Sequence, residues 1–379
     1  MSFEIAIGCN VRKSPYFDAT VADGVRSFSV YNHVYAPSHF GDPAGEYRAL
    51  MTGVVMWDVA CERQVQLAGP DSERLARYLT TRAIGGIAVG QGKYVPLCDY
   101  EGNLINDPVL QRLADDCFWL SVADSDILLW AQAIAAERRL DVRVTEPDAS
   151  PLAVQGPRAQ DVVANLFGDW VRKLKYFWFR ETELDGIPIL LARSGWSKQG
   201  GFELYLRDAR RGADLYRRVK EAGAPYGIVA SAPSDIVRVE SGLLSYGADA
   251  RYGVNPFEAG LGDFVDLDRP DEFVGKAALR RIADLGPRRR RVGYVVGGER
   301  ISGISEWHEV RLGQDVVGTV TEAVYSPRFE RNIAVGMLAS EVADDVRGLE
   351  TDLGDGLRSA SVAALPFRRK DLDSAPNDA

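Results

Sequence analysis

Glu203 and Tyr205 stand two residues apart at the end of the stretch Arg193-Ser194-Gly195-Trp196-Ser197-Lys198-Gln199-Gly200-Gly201-Phe202-Glu203-Leu204-Tyr205-Leu206. Phe202, Leu204 and Leu206 alternate with them, which is the period of a strand and puts the carboxylate and the phenol on one face. Ile187 to Ala192 is also strand-like, so the whole reads as an antiparallel hairpin around a glycine-rich turn that carries Trp196. A carboxylate, a phenol and an indole brought together can hold a flat ring with polar edges; the alternative is an ordinary hairpin whose polar face is wet. A second carboxylate, Asp107, lies in the apolar run Leu104-Ile105-Asn106-Asp107-Pro108-Val109-Leu110. A charge there is costly without partners, so Asp107 is either a structural hydrogen-bond acceptor or a functional acid.

The elements that position these residues follow from periodicity and breakers. Lys93 to Leu97 reads as a strand, Asp99-Tyr100-Glu101-Gly102-Asn103 as a turn, and Leu104 to Leu110 as the returning strand that carries Asp107. Phe28 to Tyr35 reads as one strand with Tyr31, His33 and Tyr35 on a common face, where the histidine is either a packed structural residue or a titrating one. Val65-Gln66-Leu67-Ala68-Gly69-Pro70, with helix Asp71 to Leu79 after it, is echoed by Leu152-Ala153-Val154-Gln155-Gly156-Pro157 and helix Arg158 to Phe167. Each is a strand, a Gly-Pro stop and a helix with proline near its first turn, which implies two α+β units built alike.

Further helices are predicted over Asp126 to Arg138 with Ser125 as cap, over Asp208 to Ala222, over Ser234 to Leu244 and over Glu272 to Ala283. Gly286-Pro287 and Arg288-Arg289-Arg290-Arg291 mark a boundary, and the arginines read as the solvated entrance of the strand Val292 to Val296. From there to Phe367 short strands predict a small β-barrel or sandwich, and Asp371 to Ala379 a frayed tail. Gly85 to Tyr94 is not a phosphate loop, because Ile87 stands where the first glycine belongs and Tyr94 follows Lys93.

Composition narrows the function classes. With 379 residues, 46% hydrophobic and 26% charged, the chain is long enough for two or three packed domains. A net charge of −9 argues against a nucleic-acid or anionic-membrane binder, since both need a positive field. Cys9, Cys61, Cys98 and Cys117 are scattered, so neither a metal site nor a disulfide framework is suggested and reduced, buried thiols are expected. The longest apolar run, Ile127 to Ala136 interrupted by Gln132, is too short to span a membrane, and a cytoplasmic location is expected.

Leu152 to Pro157, Gly201-Phe202-Glu203, Arg238-Val239-Glu240-Ser241-Gly242 and Asn255-Pro256-Phe257-Glu258-Ala259-Gly260-Leu261 together resemble the tetrahydrofolate-dependent aminomethyltransferases and demethylases typified by the glycine-cleavage T protein. Gly318-Thr319-Val320-Thr321, Ser326-Pro327 and Asn332-Ile333-Ala334 continue the resemblance toward Phe367. It implies an α+β fold of interleaved subdomains with antiparallel sheets and a C-terminal barrel: 1–285 for the folate-binding catalytic region, 286–370 for the barrel and 371–379 for the tail. It also implies folate in a central cavity as methyl-accepting cosubstrate, with Tyr94, Asp107 and Glu203 near the pterin. The Tyr of the family's Arg-Thr-Gly-Tyr turn is Trp196 here and its Gly-Glu is Lys198-Gln199, changes at the cavity wall that weigh against the T protein's own substrate.

Val30-Tyr31-Asn32-His33, Trp57-Asp58-Val59-Ala60, Lys93-Tyr94-Val95-Pro96-Leu97 and Phe118-Trp119-Leu120-Ser121 resemble the branch that demethylates a sulfonium compound, dimethylsulfoniopropionate. For a cationic donor of that kind, Trp196 and Tyr205, then Tyr31 and Trp178, are the candidate aromatic cage, the alternative being core packing. Lys93 or His33 is the candidate donor to its carboxylate, the alternative for Lys93 being a solvated surface residue. Asp107 is the candidate acceptor of the proton released from the folate nitrogen, or its electrostatic partner. The expected partners are the small-molecule donor and folate, with no metal, nucleic acid or membrane and the chain a monomer or homodimer. Folate-dependent N-demethylation or aminomethyl transfer on a betaine-like or methylated amine, and aromatic O-demethylation, are the competing activities.

Overall fold

The computed structural model describes residues 8–251 and 253–372, which separate into two compact units. The first gathers the described residues up to Ala76 with Ile84–Tyr94 and Pro108–Ser234; the second gathers Arg77–Ala83, Val95–Asp107 and the described residues from Asp235 on. Compactness thus reaches back across the 285/286 boundary, because Asp235 to Leu285 groups with the barrel that follows it.

The first unit is built on a six-stranded sheet in the order Phe179–Leu184, Ile187–Ala192, Gly201–Leu206, Ser150–Gln155, Val55–Asp58, Val229–Ser231. All its pairs are antiparallel except the last, which is parallel. Alternation decides which face meets what. Met56, Leu152, Val154, Ile189, Leu191, Phe202, Leu204 and Leu206 pack with Val162, Val163, Leu215, Tyr216 and Val219 of the helices Ala159–Phe167 and Gly212–Gly223. Each such side chain removed from water contributes roughly 1.5–3 kcal/mol. The opposite face, with Leu190, Ala192 and Tyr205, meets Trp119 of a second sheet, ordered Arg143–Thr145, Gln64–Ala68, Cys117–Ser121, Val109–Ala114, Gly92–Tyr94. The Tyr205 end of the predicted hairpin's polar face is therefore covered by protein and not by water.

The echoed stretches each lie in one of these sheets, and their glycines explain the recurrence. Gly69 (φ 136°) and Gly156 (φ 113°) turn the chain from strand to helix in a backbone region that side chains avoid. A β-carbon on Gly69 would fall 2.8 Å from the Asp141 carbonyl oxygen, and one on Gly156 would fall 2.7 Å from that of Gly53. The helices that follow, Ser72–Leu79 and Ala159–Phe167, begin two residues past their prolines.

In the second unit six antiparallel strands close into a barrel, in the order Arg289–Val296, Arg331–Ala339, Asp315–Ser326, His308–Leu312, Leu349–Asp352, Leu357–Ala363. Closure comes from the first strand pairing with the last, Gly293 opposite Ala363 and Val296 opposite Ala360, which rules out the sandwich alternative. Val292, Tyr294, Val310, Val320, Ala334 and Leu338 are among the residues that fill it. No helix among the described residues is long and apolar enough to cross a membrane.

Several expectations are corrected. Phe28 to Tyr35 is not one strand but the hairpin Ser27–Tyr31 and Val34–His39, with Asn32 (φ 51°) and His33 (φ 61°) at its tip. Buried Asn32 fixes that turn, its amide donating to Val122 and Ala123 carbonyl oxygens at 3.1 and 3.0 Å and its oxygen accepting from the Ser125 N–H at 3.1 Å. The helix starts one residue later than expected, at Ile127, which puts Asp126 and not Ser125 at the N-cap position, with no side-chain capping bond. The helix predicted from Ser234 stops at Glu240 and the one from Glu272 starts at Lys276, where Gly242 and Gly275 take positive φ.

The arginine run is not simply solvated. Arg291 donates to the Gly242 and Leu243 carbonyl oxygens and to Asp249, and Arg289 and Arg290 pair with Glu258 and Asp344. Of the cysteines only Cys61 and Cys98 are buried; Cys117 is half-buried and Cys9 exposed. The predicted tail begins inside the short helix Arg369–Leu372, whose Leu372 is buried, and 373–379 lie outside the described residues.

Candidate active site

Ala192 pairs with Glu203, and Leu190 with Tyr205, so the expected antiparallel hairpin forms. Glu203 and Tyr205 share a face as expected, at 8% and 1% exposure. The Tyr205 hydroxyl donates to Oε2 of Glu203 at 3.1 Å, and the Ser194 hydroxyl makes a short hydrogen bond to the same oxygen. No donor among the described residues reaches Oε1. Burial raises the Glu203 carboxyl above the usual range, opposed by the bonds from Ser194 and Tyr205. Burial, together with the Glu203 charge, holds the Tyr205 phenol far above its ordinary value, so it remains a donor.

Around this pair the wall is aromatic and fixed. Tyr205 lies 6.2 Å from Trp119, centroid to centroid; the Trp119 indole donates to Oε1 of Gln66 at 2.9 Å, and the Arg207 guanidinium covers its ring at 4.8 Å. The Ser121 hydroxyl completes the Tyr205 environment by hydrogen-bonding its oxygen.

The turn that carries Ser194 and Trp196 is locked from beneath by Gln155, which is fully buried. Its Nε2 donates to the Ser194 carbonyl oxygen at 3.1 Å, and its Oε1 accepts from the Ser197 hydroxyl at 2.7 Å. The amide runs between two glycines: a β-carbon on Gly195 would come within 2.1 Å of it and one on Gly201 within 2.4 Å. Trp196 is half-buried at the top of this turn.

The other predicted residues are distributed as follows. Trp178 is half-buried where the chain enters the edge strand; its carbonyl oxygen accepts from the Arg193 N–H at 2.9 Å, and the carbonyl of neighbouring Phe177 accepts from Gly92 at 2.6 Å. Backbone bonds therefore tie the Ser194 turn, Trp178 and the strand Gly92–Tyr94 together. Lys93 and Tyr94 on that strand are half-buried, opposite Leu110 and Val109. Tyr31 is half-buried on the N-terminal hairpin, opposite Val34.

His33 does not share a strand face with Tyr31. It sits exposed at the hairpin tip with Asp126 at 3.4 Å, because the turn set by Asn32 points it outward. Asp107 belongs to the second unit and is not inside a strand: the pairing stops at Asn106 and resumes at Val109, since Pro108 has no N–H to give. It is half-buried, and its N–H donates to Oδ1 of Asn106 at 3.0 Å.

Sequence reasoning missed Ser194, Ser197, Gln155, Ser121 and Trp119 as parts of the site. A signal existed for the first three: glycines at 195 and 201 flank a turn opposite the Gln-Gly-Pro of the second echoed strand.

An α+β unit with this hairpin, followed in the chain by a closed barrel, is the make-up of a folate-dependent class, and the chain belongs to the glycine-cleavage T-protein family. It matches the family's N-terminal domain over residues 16–269 and its C-terminal barrel domain over residues 289–368. Dimethylsulfoniopropionate demethylase DmdA of Ruegeria pomeroyi is 42% identical over 352 residues, 93% of this chain and 96% of that protein. An aminomethyltransferase of Desulfitobacterium hafniense is 29% identical, over 88% of this chain and 92% of its own. The crystal structure of the glycine cleavage system aminomethyltransferase T from Bartonella henselae shares the fold, with a TM-score of 0.82, 24% identity and coverage of 95% of this chain and 98% of its own.

Proposed function

We propose that this protein transfers a methyl group from dimethylsulfoniopropionate to N5 of tetrahydrofolate, giving 5-methyltetrahydrofolate and a thioether acid, in the cytoplasm. The observation that carries the reading is the buried Glu203 carboxylate with Oε1 open on an aromatic-walled face. A pterin edge offers N–H groups to such an oxygen. The identity to a dimethylsulfoniopropionate demethylase supports the choice of donor.

A sulfonium methyl leaves behind a neutral thioether. The S–CH3 bond breaks with its electron pair going to sulfur, the N5–CH3 bond forms, and no acid is needed for the leaving group. Alignment is the main requirement, and holding the nucleophile in line with the methyl contributes up to about 7–11 kcal/mol. Trp196, Trp178, Tyr205 and Tyr31 are proposed as the cation's aromatic surroundings, a contact worth about 2 kcal/mol when desolvated. Tyr94 and Trp196 are proposed against the folate, and Lys93 as donor to the substrate carboxylate. His33 drops out of that role because it faces solvent and Asp126. Asp107 is proposed to receive, directly or through water, the proton that N5 loses.

Incubating the purified protein with tetrahydrofolate and single methyl donors, read by mass spectrometry of the folate, tests the reaction. Product from dimethylsulfoniopropionate is expected; product from a betaine-like or methylated amine instead would overturn the donor. For Asp107→Asn, turnover should fall about 100-fold or more while tetrahydrofolate affinity stays within about threefold. Unimpaired turnover removes Asp107 from the proton step.

A further inference from the structure

The two hydrogen bonds received by Glu203 fall on one oxygen, and this asymmetry has a chemical consequence. Oε2 accepts from both Ser194 and Tyr205, so its accepting positions are filled. Oε1 faces no donor among the described residues. Neither bond is incidental to a surface turn: Ser194 is 5% exposed, Ser197 1% and Gln155 0%, and the Gln155 amide holds the Ser194 carbonyl from below. Four polar side chains, counting Glu203, are thus buried around one turn, and a turn with only a reversal to make has no need of them.

We infer that Ser194 is a positioning residue that, with Tyr205, fills Oε2 of Glu203 and leaves Oε1 as the one oxygen for which tetrahydrofolate and a proton compete. The inference rests on the reading of Glu203 as the folate anchor and deepens it. Two donors already point at Oε2, so a proton arriving on the carboxylate goes to Oε1. There it converts an acceptor into an O–H aimed at the N–H groups of the ligand, and binding is lost. The full bidentate grip that a free carboxylate offers is not available here; recognition is through one oxygen whose direction is set by the serine.

The sign follows from the bonds. Burial raises the Glu203 carboxyl, and the Ser194 bond works against that rise. Removing the Ser194 hydroxyl therefore lets the carboxyl take its proton at higher pH, and the acid limb of folate binding moves up.

The experiment is tetrahydrofolate affinity, by quenching of tryptophan fluorescence, from pH 5 to about 8.5 in the full-length protein, for the parent chain, Ser194→Ala, Ser194→Thr and Glu203→Gln. The acid limb of Ser194→Ala should lie about one to two pH units above the parent's, the equivalent of one hydrogen bond to a charged group. Ser194→Thr, which restores the hydroxyl, should return it. Glu203→Gln should bind weakly with a nearly flat profile, any remaining slope belonging to the ligand.

If the Ser194→Ala limb coincides with the parent's while Glu203→Gln is weak and flat, the serine only shapes the turn and the inference fails with the site intact. If Glu203→Gln binds like the parent at every pH, the anchor reading itself fails. Circular dichroism and thermal melting confirm that each variant is folded; should the alanine variant not fold, Ser194→Cys, a weaker donor of similar size, must show the same upward shift or the inference is wrong.

Discussion

Asp249 in the second unit and Glu203 in the first are both carboxylates taken out of water, at 1% and 8% exposure. Asp249 receives Nη1 of Arg238 on both oxygens at 2.8 and 2.9 Å, Nη2 of Arg291 at 3.1 Å, the Thr321 hydroxyl at 3.2 Å and the Ser245 N–H at 3.0 Å. Every accepting position is occupied and two guanidinium charges offset its own. Glu203 receives two neutral hydroxyls on one oxygen and no cation. The first arrangement is finished within the protein. The second leaves a charge undercompensated and an oxygen open, the position proposed above for the folate contact. Burial alone therefore does not mark a candidate functional carboxylate; the shortage of partners is what distinguishes Glu203 from Asp249.

Breaking the finished cluster should have the largest effect. Arg238 also donates to Oε2 of Glu322 at 2.7 Å, and burial nonetheless pushes the Glu322 carboxyl up to about 7. Arg238→Ala leaves Asp249 with Arg291 as its one guanidinium among the described residues and Glu322 without the guanidinium it accepts from, and should cost about 3–5 kcal/mol of stability, measured by urea unfolding. A loss under about 1 kcal/mol would mean that water reaches the cluster and that the contrast with Glu203 is overstated.

A third buried carboxylate sharpens the comparison, because it resembles Glu203 in having only neutral donors. Asp58 accepts from the Ser14 hydroxyl at 2.5 Å and from the Ala60 N–H at 3.1 Å, and burial pushes it up to about 6 from 3.8. A carboxyl raised on folding stabilises the protein below its unfolded value, and that contribution is lost as pH rises through the folded one. Raising the pH from 4 to 7 should therefore cost the parent on the order of 3 kcal/mol relative to Asp58→Asn, whose amide does not titrate. The difference between the two unfolding curves at each pH isolates this group; a difference independent of pH would show that Asp58 is compensated after all.

These clusters also show what the sequence could and could not disclose. The strand Gly201–Leu206 was legible because a two-residue alternation survives any sheet that buries one face. The same rule misled at Tyr31, His33 and Tyr35, where Asn32 turns the chain by bonding Val122 and Ala123, some ninety positions away. The run at Asp107 looked continuous because its neighbours are apolar, yet Pro108 interrupts the pairing. Arg291 read as solvated since nothing local announces Asp249. Ser194 was invisible for the same reason: its partner is fixed by the register of a hairpin, and a serine in a glycine-rich turn is otherwise unremarkable. Family motifs supplied Tyr94, Asp107 and Glu203 as candidate site residues; the contacts that orient Glu203 required coordinates.

The smallest effect on stability should come from Glu203 itself. Glu203→Gln keeps the shape, keeps an oxygen able to accept from Ser194 or Tyr205, and removes a charge that burial disfavours, which offsets the hydrogen-bond strength lost with the charge. Its unfolding free energy at pH 7 should lie within about 1 kcal/mol of the parent's, since a neutral exchange of a hydrogen-bonded group costs no more than one net bond. Affinity for tetrahydrofolate should nonetheless fall roughly 10-fold or more, the worth of a hydrogen bond to a charged group. Asp249→Asn makes the same chemical change in the finished cluster and should show the reverse pattern, a stability loss larger than that of Glu203→Gln because Arg238 and Arg291 are left facing a neutral amide. Should the two variants lose stability equally, the open oxygen of Glu203 would be a feature of packing, and the distinction between a carboxylate completed by the fold and one completed by a ligand would not hold.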